Sequence, residues 1–351
     1  QALPDRLAIH GYLTQGYGIT NSLPLLGIPN DGTFDYRRVA LLFRFKATPN
    51  DAFVVQIADR RLGESPLNDY TPELQLDWAF YERRFGDNTL LRVGKAPIPM
   101  GISNETRFQG TLLPFYRVPV GFYSEGGFTS ETLNGLVLTH KINPASPWLL
   151  SATLFAGEFD YLQASSIPAT ESTPAAYIVG PARARNLLGA QLWLQTPLTG
   201  FRVGAGADRR EDEGVLTEQI SGSGATTEIW GSLDGNFDKL VARAEARRTE
   251  FGRGGSVYKS YYAQLGYRFT EALMVTAQAD ATDLSISIPG GVFKLPYNRD
   301  NAVGAAYTFV PNIVGKFEFH DADGYSNEAP VNFTGPPIES QYFILSLSVA
   351  F

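Results

Sequence analysis

Side chains able to do chemistry are few and widely spaced in this chain. The three histidines among 351 residues, His10, His140 and His320, stand far apart in sequence. None belongs to an HExxH or other metal-ligand spacing, and no GxSxG nucleophile elbow accompanies them. Cysteine is absent, which excludes thiolate catalysis, disulfides and Cys-based zinc sites. Asp321-Ala322-Asp323-Gly324 opens like a calcium loop, but Tyr325-Ser326-Asn327-Glu328 does not supply the third ligand and distal Glu in register. Gly222 and Gly224, and Gly252, Gly254 and Gly255, lack the strand-to-helix setting of a phosphate cradle. The chemistry present in quantity is charge. In TFDYRRVALLFRFKA, Arg38, Ala40, Leu42, Arg44 and Lys46 share one face of an extended chain, and Val39, Leu41, Phe43 and Phe45 share the other. Three cations in a stripe have no place in a dry core, so one face meets water while the other meets an apolar medium.

The same alternation recurs along the chain, and helical spacing is scarce. About sixteen such segments are discernible, spanning 5–19, 33–47, 51–62, 73–85, 88–97, 131–142, 147–157, 185–196, 200–210, 225–234, 236–250, 256–269, 271–284, 298–309, 312–323 and 338–351. In 73–85, Leu74, Leu76, Trp78 and Phe80 oppose Gln75, Asp77, Ala79, Tyr81 and Arg83. Short turns at 48–51, 86–88, 143–147, 234–236, 270–271 and 311–312 alternate with long loops near 20–32, 98–130, 158–184, 211–224, 285–297 and 324–337. Strand parity puts the short turns on the side of both termini and most long loops on the other, the asymmetry of outer-membrane barrels.

Composition agrees with that reading. Charged residues make up 19%, against roughly 25% in soluble domains, and aromatics reach 13%. No run of about 18 apolar residues exists to form a transmembrane helix. The net charge of −7 disfavours a nucleic-acid partner. A soluble β-sandwich would show the same alternation in any one strand, but it would need further layers to cover so many apolar faces. The expected fold is therefore all-β: a transmembrane antiparallel barrel of about sixteen strands forming one domain over 1–351.

The closing strand QYFILSLSVAF carries Phe343, Leu345, Leu347, Val349 and Phe351 on one face. A terminal Phe after alternating apolar residues resembles the signal by which Gram-negative bacteria recognise outer-membrane barrels. Deleting Phe351 is expected to lower membrane insertion and leave selectivity unchanged, as immunoblots of outer-membrane fractions would register. The strand count and the extended segment after the fifth strand resemble the sixteen-stranded outer-membrane porins. The match by motif is RVGKAPIPMGISNETRFQGTLLPFYRVPVGFY, from Arg92 to Tyr123. Its Gly-Lys, Pro-x-Pro-x-Gly and Arg-Val-Pro spacing is similar to the phosphate-selective and dicarboxylate porin group.

That resemblance implies an in-folded constriction loop over 98–130, contact with outer-membrane lipid and lipopolysaccharide, and a homotrimer. It also implies passive diffusion of small hydrophilic solutes, without catalysis, cofactor or metal. Alternation puts Arg38, Arg44, Arg60, Arg83, Arg92, Arg202, Arg243, Arg247, Arg268 and Lys316 inside, against Asp77, Asp208, Glu245, Asp280 and Glu318. The pore-lining set expected to act on solute is Arg38, Arg44, Arg83 and Arg92 as a basic wall, with Glu105, Arg107 and Arg117 on the in-folded segment; anions are favoured. The opposing expectation is that cross-strand acids neutralise these arginines. Three rival functions remain: an outer-membrane enzyme, a hydrophobic-substrate transporter and an adhesion or structural barrel. The first needs a Ser/His/Asn group on the lipid-facing surface, and the second an N-terminal plug.

Overall fold

A computed structural model describes residues 6–21, 26–69, 72–123, 131–143, 145–167, 176–214, 225–252, 255–288, 290–325 and 337–351. Sixteen strands follow one another in chain order: β1 (Leu7–Thr20), β2 (Thr33–Lys46), β3 (Asp51–Leu62), β4 (Gln75–Phe85), β5 (Thr89–Pro97), β6 (Thr132–Ile142), β7 (Leu149–Ile167) and β8 (Ala176–Gln195). The second half contains β9 (Phe201–Gly214), β10 (Ala225–Asn236), β11 (Leu240–Phe251), β12 (Ser256–Arg268), β13 (Leu273–Ile288), β14 (Gly291–Val310), β15 (Ile313–Gly324) and β16 (Ile338–Ala350). Each pairs antiparallel with its chain neighbours, and β1 pairs with β16 from Tyr12↔Ala350 to Thr20↔Tyr342, closing the barrel. Closure leaves no edge strand with unsatisfied backbone, which a lipid environment requires.

Alternation decides which side chains meet which medium. Ile9, Leu13, Phe53, Val55, Leu136, Leu154, Leu192, Ile229, Leu265, Val303, Phe317 and Leu345 are exposed on the outer wall. Tyr267 with Phe269 and Tyr307 with Phe309 form edge-to-face pairs near the end that carries the termini, as aromatic girdles do at a membrane interface. Toward the other end the outer face changes to charge: Arg37 pairs with Asp35 and Asp59, Arg61 with Asp35, Arg183 with Glu158, and Arg299 with Asp283. Strands therefore project past the apolar belt. This corrects the expected loops at 158–184 and 285–297, where β7, β8, β13 and β14 run on as long hairpins. It also moves the turn expected at 234–236 to 237–239, because β10 continues to Asn236.

One strand breaks the parity rule. Between Gln56↔Trp78 and Ile57↔Leu76 the register shifts, leaving Asp77 as an extra residue in β4. A bulge puts two residues of one strand opposite one of its neighbour, so side chains beyond it switch faces. Phe80 and Glu82 are consequently buried, and Arg83 falls on the outer face in the row of Phe53 and Tyr81. Such a barrel should give a β-dominated far-UV circular dichroism spectrum, and unheated protein should migrate differently from boiled protein in detergent gels. A helical spectrum, or identical migration, contradicts the fold.

Candidate functional site: the in-folded segment and its anchors

After β5 the chain does not return directly to β6. Residues 98–123 enter the barrel, passing through a 3-10 turn at Asn104–Thr106 and ending in one helical turn, Val120–Tyr123. Their apolar side chains explain why. Ile98, Met100, Leu113, Val118, Phe122 and Tyr123 pack in one cluster with wall residues Phe80, Leu133, Phe155, Phe159, Trp230 and Tyr262. Burying a side chain of this size contributes roughly 1.5–3 kcal/mol, so the segment has a core to join inside the barrel.

Polar contacts fix where it lies. On β15, Glu318 accepts the Tyr116 backbone N–H at 2.6 Å, and the Lys316 Nζ donates to the Phe115 carbonyl at 2.9 Å. On β13, Asp280 accepts the Gly121 N–H at 2.9 Å. On β11, Glu245 accepts the Ile102 N–H at 3.0 Å and the Tyr123 hydroxyl at 2.5 Å. On β2, the Arg38 guanidinium donates to the Tyr116 carbonyl at 2.6 Å and lies over the Tyr116 ring at 4.4 Å. The segment is thus tied to both sides of the barrel. Two glycines permit the approach. Gly101 has φ +61°, and a Cβ there would meet the Glu245 carboxylate at 2.7 Å; one on Gly121 would meet Asp280 at 2.6 Å.

The residues expected to line a pore divide into three groups. Arg38, Arg107 and Arg117 are buried and hold the segment: Arg107 donates to Asn104 and to the Tyr123 carbonyl, and Arg117 to the Tyr36 hydroxyl and the Leu26 carbonyl. Arg44 and Arg92 line the interior but share Glu82, at 2.6 and 3.3 Å, and Arg92 reaches Glu105 on the segment at 2.6 Å. Arg83 is the correction. It lies outside, paired with Asp51 at 3.1 Å, because of the bulge at Asp77. Glu125 and the remainder of the expected loop, 124–130, lie outside the described residues.

The interior holds more acids than alternation led one to expect. Beyond those expected, Glu82, Asp212, Glu228, Asp234 and Asp300 are buried in the barrel interior. Arg60 pairs with Asp77, Arg202 and Arg243 share Asp234, and Arg247 approaches Glu228 at 3.8 Å. Much of the basic wall is therefore compensated across strands. The signal for this was period-2 spacing within EIWGSLDGN and ADRREDE, where acids fall in the row of the inward residues. No His, Cys, Asp and Glu grouping suited to a metal ion occurs among the described residues.

A closed sixteen-strand antiparallel barrel with a segment folded inside is the architecture of outer-membrane porins. No protein-family model and no curated protein sequence matches the chain. Among solved structures it is similar to the outer-membrane channel DcaP of Acinetobacter baumannii, with 12% identity, 98% of this chain and 97% of that chain covered, and a TM-score of 0.62. It is also similar to OmpF of Salmonella typhi in complex with daunomycin, at 10% identity, 98% and 97% coverage and a TM-score of 0.64. A third is the trimer form of OmpT, an outer-membrane protein of Vibrio cholerae, at 9% identity, 98% and 99% coverage and a TM-score of 0.56. At these identities the likeness is one of fold.

Proposed function

We propose that the chain is a porin-type channel of the outer membrane, through which small hydrophilic solutes diffuse passively, with 98–130 as its constriction loop. The observation that carries this reading is the described part of that loop, inside a closed barrel and hydrogen-bonded to β2, β11, β13 and β15. A barrel whose purpose was only to anchor an external site would have no use for a segment tethered across its lumen. The apolar belt faces lipid, the outward ion pairs above it face lipopolysaccharide headgroups, and three copies assemble as in the trimer form of the Vibrio cholerae protein. Kinship with the phosphate-selective and dicarboxylate group rests on the Arg92–Tyr123 spacing.

The channel prefers anions, modestly. At partly exposed interior positions Arg44 and Arg92 share Glu82, with Glu105 as a second acid on Arg92, whereas Arg202 and Arg243 share the one carboxylate of Asp234. Such an excess concentrates anions in a confined lumen and weakens as salt shortens the Debye length. In planar bilayers under a potassium chloride gradient, the reversal potential should carry the chloride-selective sign and shrink at high salt. Cation selectivity contradicts this preference.

A further inference from the structure

We propose that residues 26–29, in the connection after β1, are a second constricting element: a wedge seated inside the barrel that closes the sector of the lumen walled by β15, β16, β1 and β2. This deepens the channel reading and rests on it for the solutes that the wedge turns away. The expected loop over 20–32 turns inward here: Leu26, Gly27, Ile28 and Pro29 are all buried, Ile28 completely. Leu26 and Ile28 pack with Tyr116 of the in-folded segment and with Tyr36, Ala322, Tyr342 and Ile344, which lie on the inward rows of β2, β15 and β16.

The wall is shaped to receive it. Gly16 and Gly18 fall on the inward row of β1, between Thr14 and Thr20. A Cβ on Gly18 would stand 3.2 Å from the Ile28 side chain, and one on Gly16 would stand 3.0 Å from the Tyr116 ring. The two missing side chains thus leave a seat that wedge and segment share, packed closely enough to exclude water. Hydrogen bonds then hold the wedge from several sides. The Leu26 carbonyl accepts the Tyr36 hydroxyl of β2 and, at 3.4 Å, the Arg117 guanidinium of the segment. The Gly27 carbonyl accepts the Glu64 N–H of the turn after β3 at 2.8 Å, and the Pro29 carbonyl accepts the Thr20 N–H of β1 at 3.2 Å. Gly27 has φ +74°, and a Cβ there would strike the Leu62 carbonyl, so only glycine lets the wedge lie this close to that turn. At the next inward positions Arg38 on β2 and His320 on β15 are buried as well. Solute is therefore confined to the remainder of the lumen.

Position and effect are tested separately. The chain has no cysteine, so Gly18→Cys with Ile28→Cys places its only thiols where wedge meets wall, within disulfide reach. After air oxidation of the folded barrel, titration in denaturant should find no free thiol, and the protein should run as a monomer on non-reducing denaturing gels. In liposome swelling, the parent should admit the trisaccharide raffinose far more slowly than arabinose. Leu26→Ser with Ile28→Ser should raise the raffinose-to-arabinose ratio severalfold, while the oxidised cysteine pair keeps the parent ratio. Gel heat-modifiability verifies that each barrel is intact; should the Ser pair fail to fold, Ile28→Ala replaces it. Free thiols in the folded cysteine pair, or an unchanged ratio in an intact wedge variant, overturns the proposal. Thiol titration does not require conduction: a disulfide in a barrel that admits neither sugar, with or without the wedge, would sink the channel reading and the restricting role together, and free thiols in a conducting barrel would sink the wedge alone.

Discussion

Replacing Asp280 and Glu318 together by Ala should raise the rate at which small sugars and amino acids enter proteoliposomes severalfold, as measured by liposome swelling. Asp280 holds Gly121 and Glu318 holds Tyr116, at 2.9 and 2.6 Å, on the wall opposite β5, where the segment begins. A hydrogen bond to a charged group contributes about 1.5–3 kcal/mol net. Losing two would loosen the far edge of the segment by enough to change its position or its time in place. The neighbouring contacts bear on the result: Glu318 also meets His320 Nε2 at 3.4 Å, and His320 in turn meets Asp300 at 3.0 Å. Asp280→Asn with Glu318→Gln preserves the acceptors and should leave permeation near the parent rate. Equal rates in the Ala pair and the parent would show that these anchors do not set the passage.

The second large effect is on stability. Arg210 on β9 is 2% exposed and is surrounded by three carboxylates, Asp208 at 3.2 Å, Asp212 at 3.2 Å and Glu228 at 3.0 Å. Arg247 lies 3.8 Å from Glu228 on its other side. Removing one partner from a buried ionic group leaves an uncompensated charge and costs about 3–5 kcal/mol. Here several carboxylates would be left crowded together, so Arg210→Met should lower the temperature at which the folded band on detergent gels converts to the heated form. Adding Asp208→Asn, Asp212→Asn and Glu228→Gln to the same variant should recover much of the loss. A transition temperature unchanged by Arg210→Met would mean that water already solvates this network.

Much of this molecule was legible in alternation alone. Each of the sixteen expected segments coincides with an observed strand, because a wall with lipid on one side and polar contacts on the other leaves period 2 in the sequence. The failures share physical causes. Beyond the apolar belt there is no lipid to enforce alternation, so Glu158, Asp160, Arg183 and Arg185 disguised strand as loop. In β4 a single inserted residue, Asp77, reversed the assignment of Phe80 and Arg83, and nothing in a polar residue at that place announces a bulge. The segment after β5 was legible as an excursion, but its fastenings were not. Glu245, Asp280 and Glu318 read only as interior acids, since their partners are backbone N–H groups more than a hundred residues away. Sequence shows that Arg38 faces inward; that it binds the Tyr116 carbonyl instead of solvent depends on packing.

Whether residues 98–130 narrow an otherwise continuous aqueous path is decided by single-channel recording of the purified protein beside a variant in which 104–118 are replaced by a short Gly-Ser linker. Small, discrete conductance steps are expected for the parent and substantially larger steps for the shortened variant, with the anion-selective sign retained because Arg44, Arg92, Arg202 and Arg243 stay on the wall. No steps from either protein, or steps of equal size from both, would contradict it.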